Sequence, residues 1–407
     1  MIGVQSVQRK IQRVLSRRAE KALLREAKCH WVGSRRGLKH VVRRYVRSHR
    51  HDRNWLDGVW QSVSLAGAAA LLALQLYASP VEAAIPTFAQ HTGVTNPFNG
   101  FSTGYVSTPQ FADFDNDGDL DVLSGTGNGG WVYFENTGDV NSPIYLQQTG
   151  VDNPMDGFTN GSGFTDPAVA DIDGDGDLDV LSGINGGEFL YFENTGDAST
   201  PVFVARTGID DPMDGNTLRP DFRSAPTFVD LDNDGDYDIL SGSGDGVFYY
   251  FENTGDANTP VFTQRTGSEN LMDGHDVIRP NEYSYGSNPT FADLDGDGDL
   301  DIVSGTYYSG MYIYFENTGD ISSPVFVERS GIDNPLSTFD AQDRDTFPSF
   351  GDIDGDGDMD LIVGQNDGSY FFFENTTPLP PPAIALLVAG DAFGSPGGQV
   401  VVDVIVD

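Results

Sequence analysis

Aspartates recur at alternate positions in five acidic loops. The first holds Asp113, Asp115, Asp117, Asp119 and Asp121; the second Asp171, Asp173, Asp175, Asp177 and Asp179; the third Asp230, Asp232, Asp234, Asp236 and Asp238. The fourth holds Asp293, Asp295, Asp297, Asp299 and Asp301, and the fifth Asp352, Asp354, Asp356, Asp358 and Asp360. Calcium takes about six to eight hard oxygen ligands, and a loop wrapped round an ion presents every second side chain to it. Positions 1, 3 and 5 supply carboxylates on that reading, position 7 its backbone carbonyl, and position 9 closes the loop with both oxygens. Position 6 is glycine in every copy, as a sharp turn requires. Positions 2 and 8 are apolar throughout, an alternation that a solvated acidic linker would not keep. The expectation is about five calcium ions, one per loop.

An EF-hand would need glutamate at position 12, where this chain has Ser124, Ser182, Ser241, Ser304 and Val363. The flanks are short extended segments such as Phe291-Ala-Asp and Ile302-Val-Ser-Gly, so the loop belongs in a β-hairpin. Loop starts are 58, 59, 63 and 59 residues apart, the mark of a repeat architecture. Four extended segments can be marked per unit: Pro-x-Phe, then Pro-Thr-Phe-Ala-Asp, Leu-Asp-Ile-Val-Ser-Gly and Tyr-Ile-Tyr-Phe-Glu-Asn in the fourth copy. Short strands at this spacing, with no 3.6-residue periodicity after residue 85, predict an all-β chain: a β-propeller of five four-stranded repeats over 85–377.

These residues resemble the FG-GAP and VCBS repeats of secreted bacterial proteins and the calcium-binding blades of the integrin α-subunit propeller. Ser349-Phe-Gly-Asp352 is the copy nearest the Phe-Gly signature. The resemblance spans about residues 86–376 and implies calcium at positions 1, 3, 5, 7 and 9 of each loop. Many such propellers have seven blades, so five units predict either a small closed ring or part of a seven-bladed one. The resemblance implies an adhesion or ligand-binding module.

Composition narrows the function further. The net charge is −38, but residues 1–60 carry +12 and the remainder −50. So acidic a body repels phosphates, which argues against nucleic acid as a partner and for cations. The one cysteine, Cys29, lies in the basic segment, so the body is without disulfides. Residues 1–84 read as a basic leader and signal peptide: an Arg-rich start, an apolar run over 65–77 too short for a comfortable membrane span, and small residues offering cleavage after Ala83. A nucleic-acid-binding arm is the rival reading of residues 1–60. The expected location is secreted or cell-surface, with no stable membrane span in the mature chain. Residues 378–382 form a Pro-rich linker, and 383–407 read as the start of a further β domain or as a strand latching the ring.

Two further signatures recur. Phe-Glu-Asn-Thr places Glu135, Glu193, Glu252, Glu316 and Glu374 at one strand end, where a role shared by every blade is expected rather than catalysis. Arg206, Arg265 and Arg329 share a repeat position with His91 and Gln148. The remaining body arginines, Arg219, Arg223, Arg279 and Arg344, fall in the variable segments with Phe222, Tyr283, Tyr285 and Phe347, a composition suited to a glycan or protein ligand. No catalytic motif is present, and no catalytic residue is assigned. A carbohydrate-binding lectin or a carbohydrate-active enzyme on the same scaffold is the alternative.

Overall fold

The third extended segment of every repeat places apolar residues side by side, as in Val122-Leu123 and Ile302-Val303, the pattern of a strand covered on both faces. A computed structural model describes residues 85–161, 163–279, 285–339, 341 and 345–377. The chain begins there with β1 (Phe88–His91). Blade 1 follows as β2 (Ser107–Ala112), β3 (Asp121–Thr126), β4 (Trp131–Asn136) and β5 (Tyr145–Gln148). Blade 2 is β6 (Thr165–Ala170), β7 (Asp179–Ile184), β8 (Phe189–Asn194) and β9 (Phe203–Arg206). Blade 3 is β10 (Ser224–Val229), β11 (Asp238–Ser243), β12 (Phe248–Asn253) and β13 (Phe262–Arg265). Blade 4 is β14 (Tyr285–Ala292), β15 (Asp301–Tyr307), β16 (Tyr312–Asn317) and β17 (Phe326–Arg329). Blade 5 has β18 (Thr346–Gly351), β19 (Asp360–Gln365) and β20 (Tyr370–Asn375), and takes β1 as its fourth strand. All pairings are antiparallel.

The blades are displaced by one strand from the sequence repeat. Each Pro-x-Phe segment opens the outer strand of the preceding blade, so blade 5 must borrow its outer strand from the chain start. The register Phe88↔Asn375 to His91↔Phe372 closes the ring at five blades. Residues 1–84 and 378–407, with the expected leader, linker and further domain, lie outside the described residues. Among the described residues no helix is long and apolar enough to cross a membrane.

The core lies between blades. One apolar cluster joins Leu123, Trp131 and Met155 of blade 1 to Val180 and Phe192 of blade 2, and equivalent clusters fill the next three junctions. Phe111, Val122 and Phe134 meet Ile353, Ile362 and Tyr370 at the junction of blades 1 and 5. Hydroxyls stitch the inner strands as well. Ser107 donates to the Ser369 carbonyl (2.7 Å), Thr165 to Gly130 (2.8 Å), Ser224 to Glu188 (2.6 Å) and Ser287 to Val247 (2.8 Å).

The glycine of each Ser-Gly or Val-Gly pair marks where blades approach closest. A Cβ on Gly364 would lie 2.0 Å from the Ser107 carbonyl oxygen, and one on Gly183 2.1 Å from that of Ser224. Backbone cannot yield as a flexible side chain can. Gly364→Ala is therefore expected to lower stability by about 3 kcal/mol, as severe overpacking does. Chemical denaturation reads this directly; an unchanged midpoint would show that the seam admits a side chain.

Candidate metal centre

Each acidic loop joins the innermost strand of a blade to the second, as the hairpin placement expects. Positions 4 and 6 are left-handed in every loop. Gly118, Gly176, Gly235, Gly298 and Gly357 have φ between 96° and 102°. Position 4 holds only glycine or asparagine because it too has positive φ, with Asn116 at 57° and Gly174 at 71°. The sequence carries that signal, with Asn116, Gly174, Asn233, Gly296 and Gly355 at position 4.

The two turns fold the chain over its first aspartate. The position-6 amide donates to the position-1 carboxylate at 3.1 Å in all five loops. Positions 1, 3 and 5 consequently converge, each triad offering one carboxylate oxygen apiece within 4.8 Å of the others: Asp113, Asp115 and Asp117; Asp171, Asp173 and Asp175; Asp230, Asp232 and Asp234; Asp293, Asp295 and Asp297; Asp352, Asp354 and Asp356. Position 2 anchors the loop, with Phe114, Ile172, Leu231, Leu294 and Ile353 all buried, whereas Tyr237, Leu300 and Met359 at position 8 are exposed.

Position 7 lies against the triad. One carboxylate oxygen each of Asp119, Asp177, Asp236 and Asp299, and both of Asp358, are buried without a hydrogen-bond partner. Burial first, and the neighbouring loop carboxylates second, push Asp119, Asp177, Asp236 and Asp299 up to about 6 and Asp358 to about 7. Donor-free buried oxygens beside three converging carboxylates are a donor set for a hard divalent cation, and the loops could hold one each.

Position 9 does not join the triads. Asp121 accepts hydrogen bonds from the Tyr133 hydroxyl (2.7 Å), the Asn136 amide (2.7 Å) and the Phe114 amide (3.2 Å). Asp179, Asp238 and Asp301 repeat this set with Tyr191, Tyr250 and Tyr314. Asp360 keeps the Asn375 amide, but Phe372 stands where the tyrosine would be. Burial pushes all five up to about 7. In this geometry the carboxylate expected to close the site ties the loop to the third strand.

The repeated glutamates and arginines, separate in sequence, are cross-strand partners. Arg206, Arg265 and Arg329 form two-pronged pairs with Glu193, Glu252 and Glu316 at 2.7–3.0 Å. Gln148 takes that place against Glu135, and His91 meets Glu374 at 2.6 Å across the closing seam. Among the variable-loop arginines, Arg219 pairs with Asp245 and Arg279 with Glu328, while Arg223 lies at the ring axis beside Asp345. Tyr283 and Arg344 lie outside the described residues.

The loops also reach the neighbouring blade. The Asn258 amide of blade 3 donates to the Gly174 carbonyl of the blade 2 loop (3.2 Å), and Asn233 of the blade 3 loop donates to the Ser322 hydroxyl of blade 4 (3.1 Å).

Raised carboxyl values set a direction for pH dependence. The cation-free folded state holds more protons than the unfolded chain between the ordinary carboxyl value of 3.8 and about 6 to 7. Stability without a cation should therefore fall as pH rises through that window. Thermal denaturation in chelator at pH 4.5 and 7.5 tests this, and equal melting temperatures would contradict it.

No curated protein matches the chain. Solved structures similar in outline include a β-xylosidase (TM-score 0.41, 11% identity, covering 67% of this chain and 92% of that one). Others are a GH43_1 enzyme from Xanthomonas citri (0.42, 10%, 68% and 88%) and a putative exo-β-1,3-galactanase from Bifidobacterium bifidum s17 (0.37, 14%, 65% and 85%). A family model described as an FG-GAP-like repeat matches residues 113–182, 230–304 and 293–363, each match beginning at the first aspartate of a loop. With five such loops on five blades, the chain belongs to the FG-GAP-like repeat family.

Proposed function

We propose that this chain is an exported, calcium-binding β-propeller that serves as a ligand-binding or adhesion module. The observation that carries the calcium reading is the set of buried, donor-free position-7 oxygens beside all five aspartate triads. A buried carboxylate oxygen beside other carboxylates and without a proton donor is unfavourable, and a bound cation removes that penalty. Asp113, Asp115 and Asp117 and their counterparts would hold the ion, with position 7 beside them. Calcium would supply the positive charge that lets the crowded carboxylates ionise together.

The loops' contacts with neighbouring blades make that binding relevant to the whole ring. Asn258 on Gly174 and Asn233 on Ser322 tie the geometry of one loop to the position of the next blade. Extracellular calcium modules work at about 10⁻⁴–10⁻³ M, so the ring would be weakly braced at cytoplasmic calcium and consolidated after export. The acidic body and basic leader support the export reading.

Calorimetric titration of the whole protein with calcium should give about five ions, accompanied by a rise in melting temperature. Each site held at a hundred times its Kd contributes about 2.7 kcal/mol. A melting temperature indifferent to calcium and chelator would overturn the reading.

A further inference from the structure

The five acidic loops are not equivalent, because the pair of residues beside each loop differs between blades. One member stands on the third strand and faces the other on the fourth. In blades 2, 3 and 4 the pair is tyrosine and arginine: Tyr191↔Arg206, Tyr250↔Arg265 and Tyr314↔Arg329. The tyrosine hydroxyl donates to the position-9 aspartate, and the arginine donates to the glutamate of its blade. Blade 1 keeps the tyrosine and sets Gln148 against it, as Tyr133↔Gln148. Blade 5 has neither. There Phe372 faces His91, with ring centres 5.6 Å apart, in the strand pair that closes the ring.

This departure changes what the carboxylates of the fifth loop touch. Asp360 is 1% exposed, and its Oδ2 is buried without a hydrogen-bond partner. Its counterparts Asp121, Asp179, Asp238 and Asp301 each accept from a tyrosine hydroxyl. The Ile353 amide eases the charge on Asp360 but lies outside hydrogen-bonding geometry to Oδ2. Both oxygens of Asp358 are also buried and unpartnered. The fifth loop therefore holds three such oxygens, the second loop two (on Asp171 and Asp177) and every other loop one.

The charge beside the loop differs in the same sense. The glutamate of the pair lies close enough to feel the loop: Asp115, Tyr133, Glu135 and Gln148 line one cavity of about 390 Å³, and Asp295, Tyr314, Glu316 and Arg329 line its counterpart of about 320 Å³ in blade 4. In blade 5, burial and then the carboxylates around it, Glu374 among them, raise the position-3 residue Asp354. Arg206, Arg265 and Arg329 answer their glutamates with a fixed positive charge, whereas His91 is charged only when protonated.

A hydroxyl on the position-9 carboxylate competes with a cation for its lone pair, and a guanidinium beside the loop repels the ion. The fifth loop is subject to neither. It also sits at the seam. The sheet of blade 5 joins the first and last strands of the described ring, and a Cβ on Gly355 of its loop would lie 3.0 Å from both the Val140 carbonyl oxygen and Asn141 Oδ1 of blade 1. We propose that the fifth acidic loop is the tightest cation site of the ring, filled before the others, and that the ion held there clasps the closing seam. Asp352, Asp354 and Asp356 hold the ion, and Asp358 and Asp360 bring the charge that no hydroxyl relieves. Without the ion, the three uncompensated oxygens make this seam the first to open. The inference rests on the calcium part of the function proposed above and adds an order of filling to it.

The test titrates calcium into the full chain, first stripped with chelator, by calorimetry and by hydrogen exchange resolved to single strands. One ion per chain should bind about tenfold tighter than the mean of the rest, the worth of one hydrogen bond to a charged group. That first equivalent should slow exchange in β1 and β20, while β8 and β9 of blade 2 respond only to later ones. Phe372→Tyr, which supplies the missing hydroxyl, should weaken the first site about tenfold. His91→Arg, which supplies the guanidinium, should weaken it about threefold. Both variants carry residues that the same register holds in other blades, and thermal melts identify any that fails to fold. Together they should merge the five sites into one class. Arg219→Ala, paired with Asp245 away from the loops, should change nothing. Five ions of one affinity, a first ion that protects another blade, or a first site insensitive to both variants would each overturn the clasp and leave the calcium reading standing. Absence of calcium binding would overturn both.

Discussion

Wherever two blades meet, a backbone carbonyl oxygen occupies the space that a side chain would need. The space beside Gly125, Gly183, Gly242, Gly305 and Gly364 is taken by a serine or threonine carbonyl of the next inner strand, 2.0–2.2 Å from where a Cβ would lie. That approach allows five sheets to converge on one axis without a gap. It also explains why the second strand of each blade is buried along its length and why the apolar clusters lie at the junctions. A blade alone would expose both faces of its sheet, so the ring is the smallest unit that covers its own core.

The aspartates divide between two tasks that sequence spacing does not separate. Position 9 lies inside the protein, where a tyrosine hydroxyl and two backbone amides satisfy it in four blades. It positions the loop. Positions 1, 3 and 5 converge above it, and position 7 places an oxygen among them with no proton donor. One carboxylate thus organises the others, and the left-handed residues at positions 4 and 6 set their spacing.

The acidic surface leaves few cations, and the structure shows where they are committed. Three of the body's arginines, Arg206, Arg265 and Arg329, neutralise the glutamate beside their blade's acidic loop; at the closing seam a histidine replaces arginine. Arg223 is used differently. It is stacked on aromatic rings at the axis, among residues that the repeat does not specify. A repeated fold spends its shared positions on shared geometry, so individuality is left to the axis and the variable loops.

The sequence by itself determined the repeat, the all-β class, the hairpin around each acidic loop and the convergence of its carboxylates. Those features depend on residue spacing, on strand alternation and on glycines that turn the chain locally. Tertiary structure decided what depends on contacts between distant segments. The blade boundary lies one strand away from the sequence period because the outer strand of blade 5 comes from Phe88–His91. Five blades rather than more close the ring because that strand completes the last sheet. The glutamates and arginines proved to be partners only when the third and fourth strands were paired. Asp166, Arg223, Asn288 and Asp345 carry no motif and are separated by up to 179 residues, so nothing short of the closed ring could bring them together.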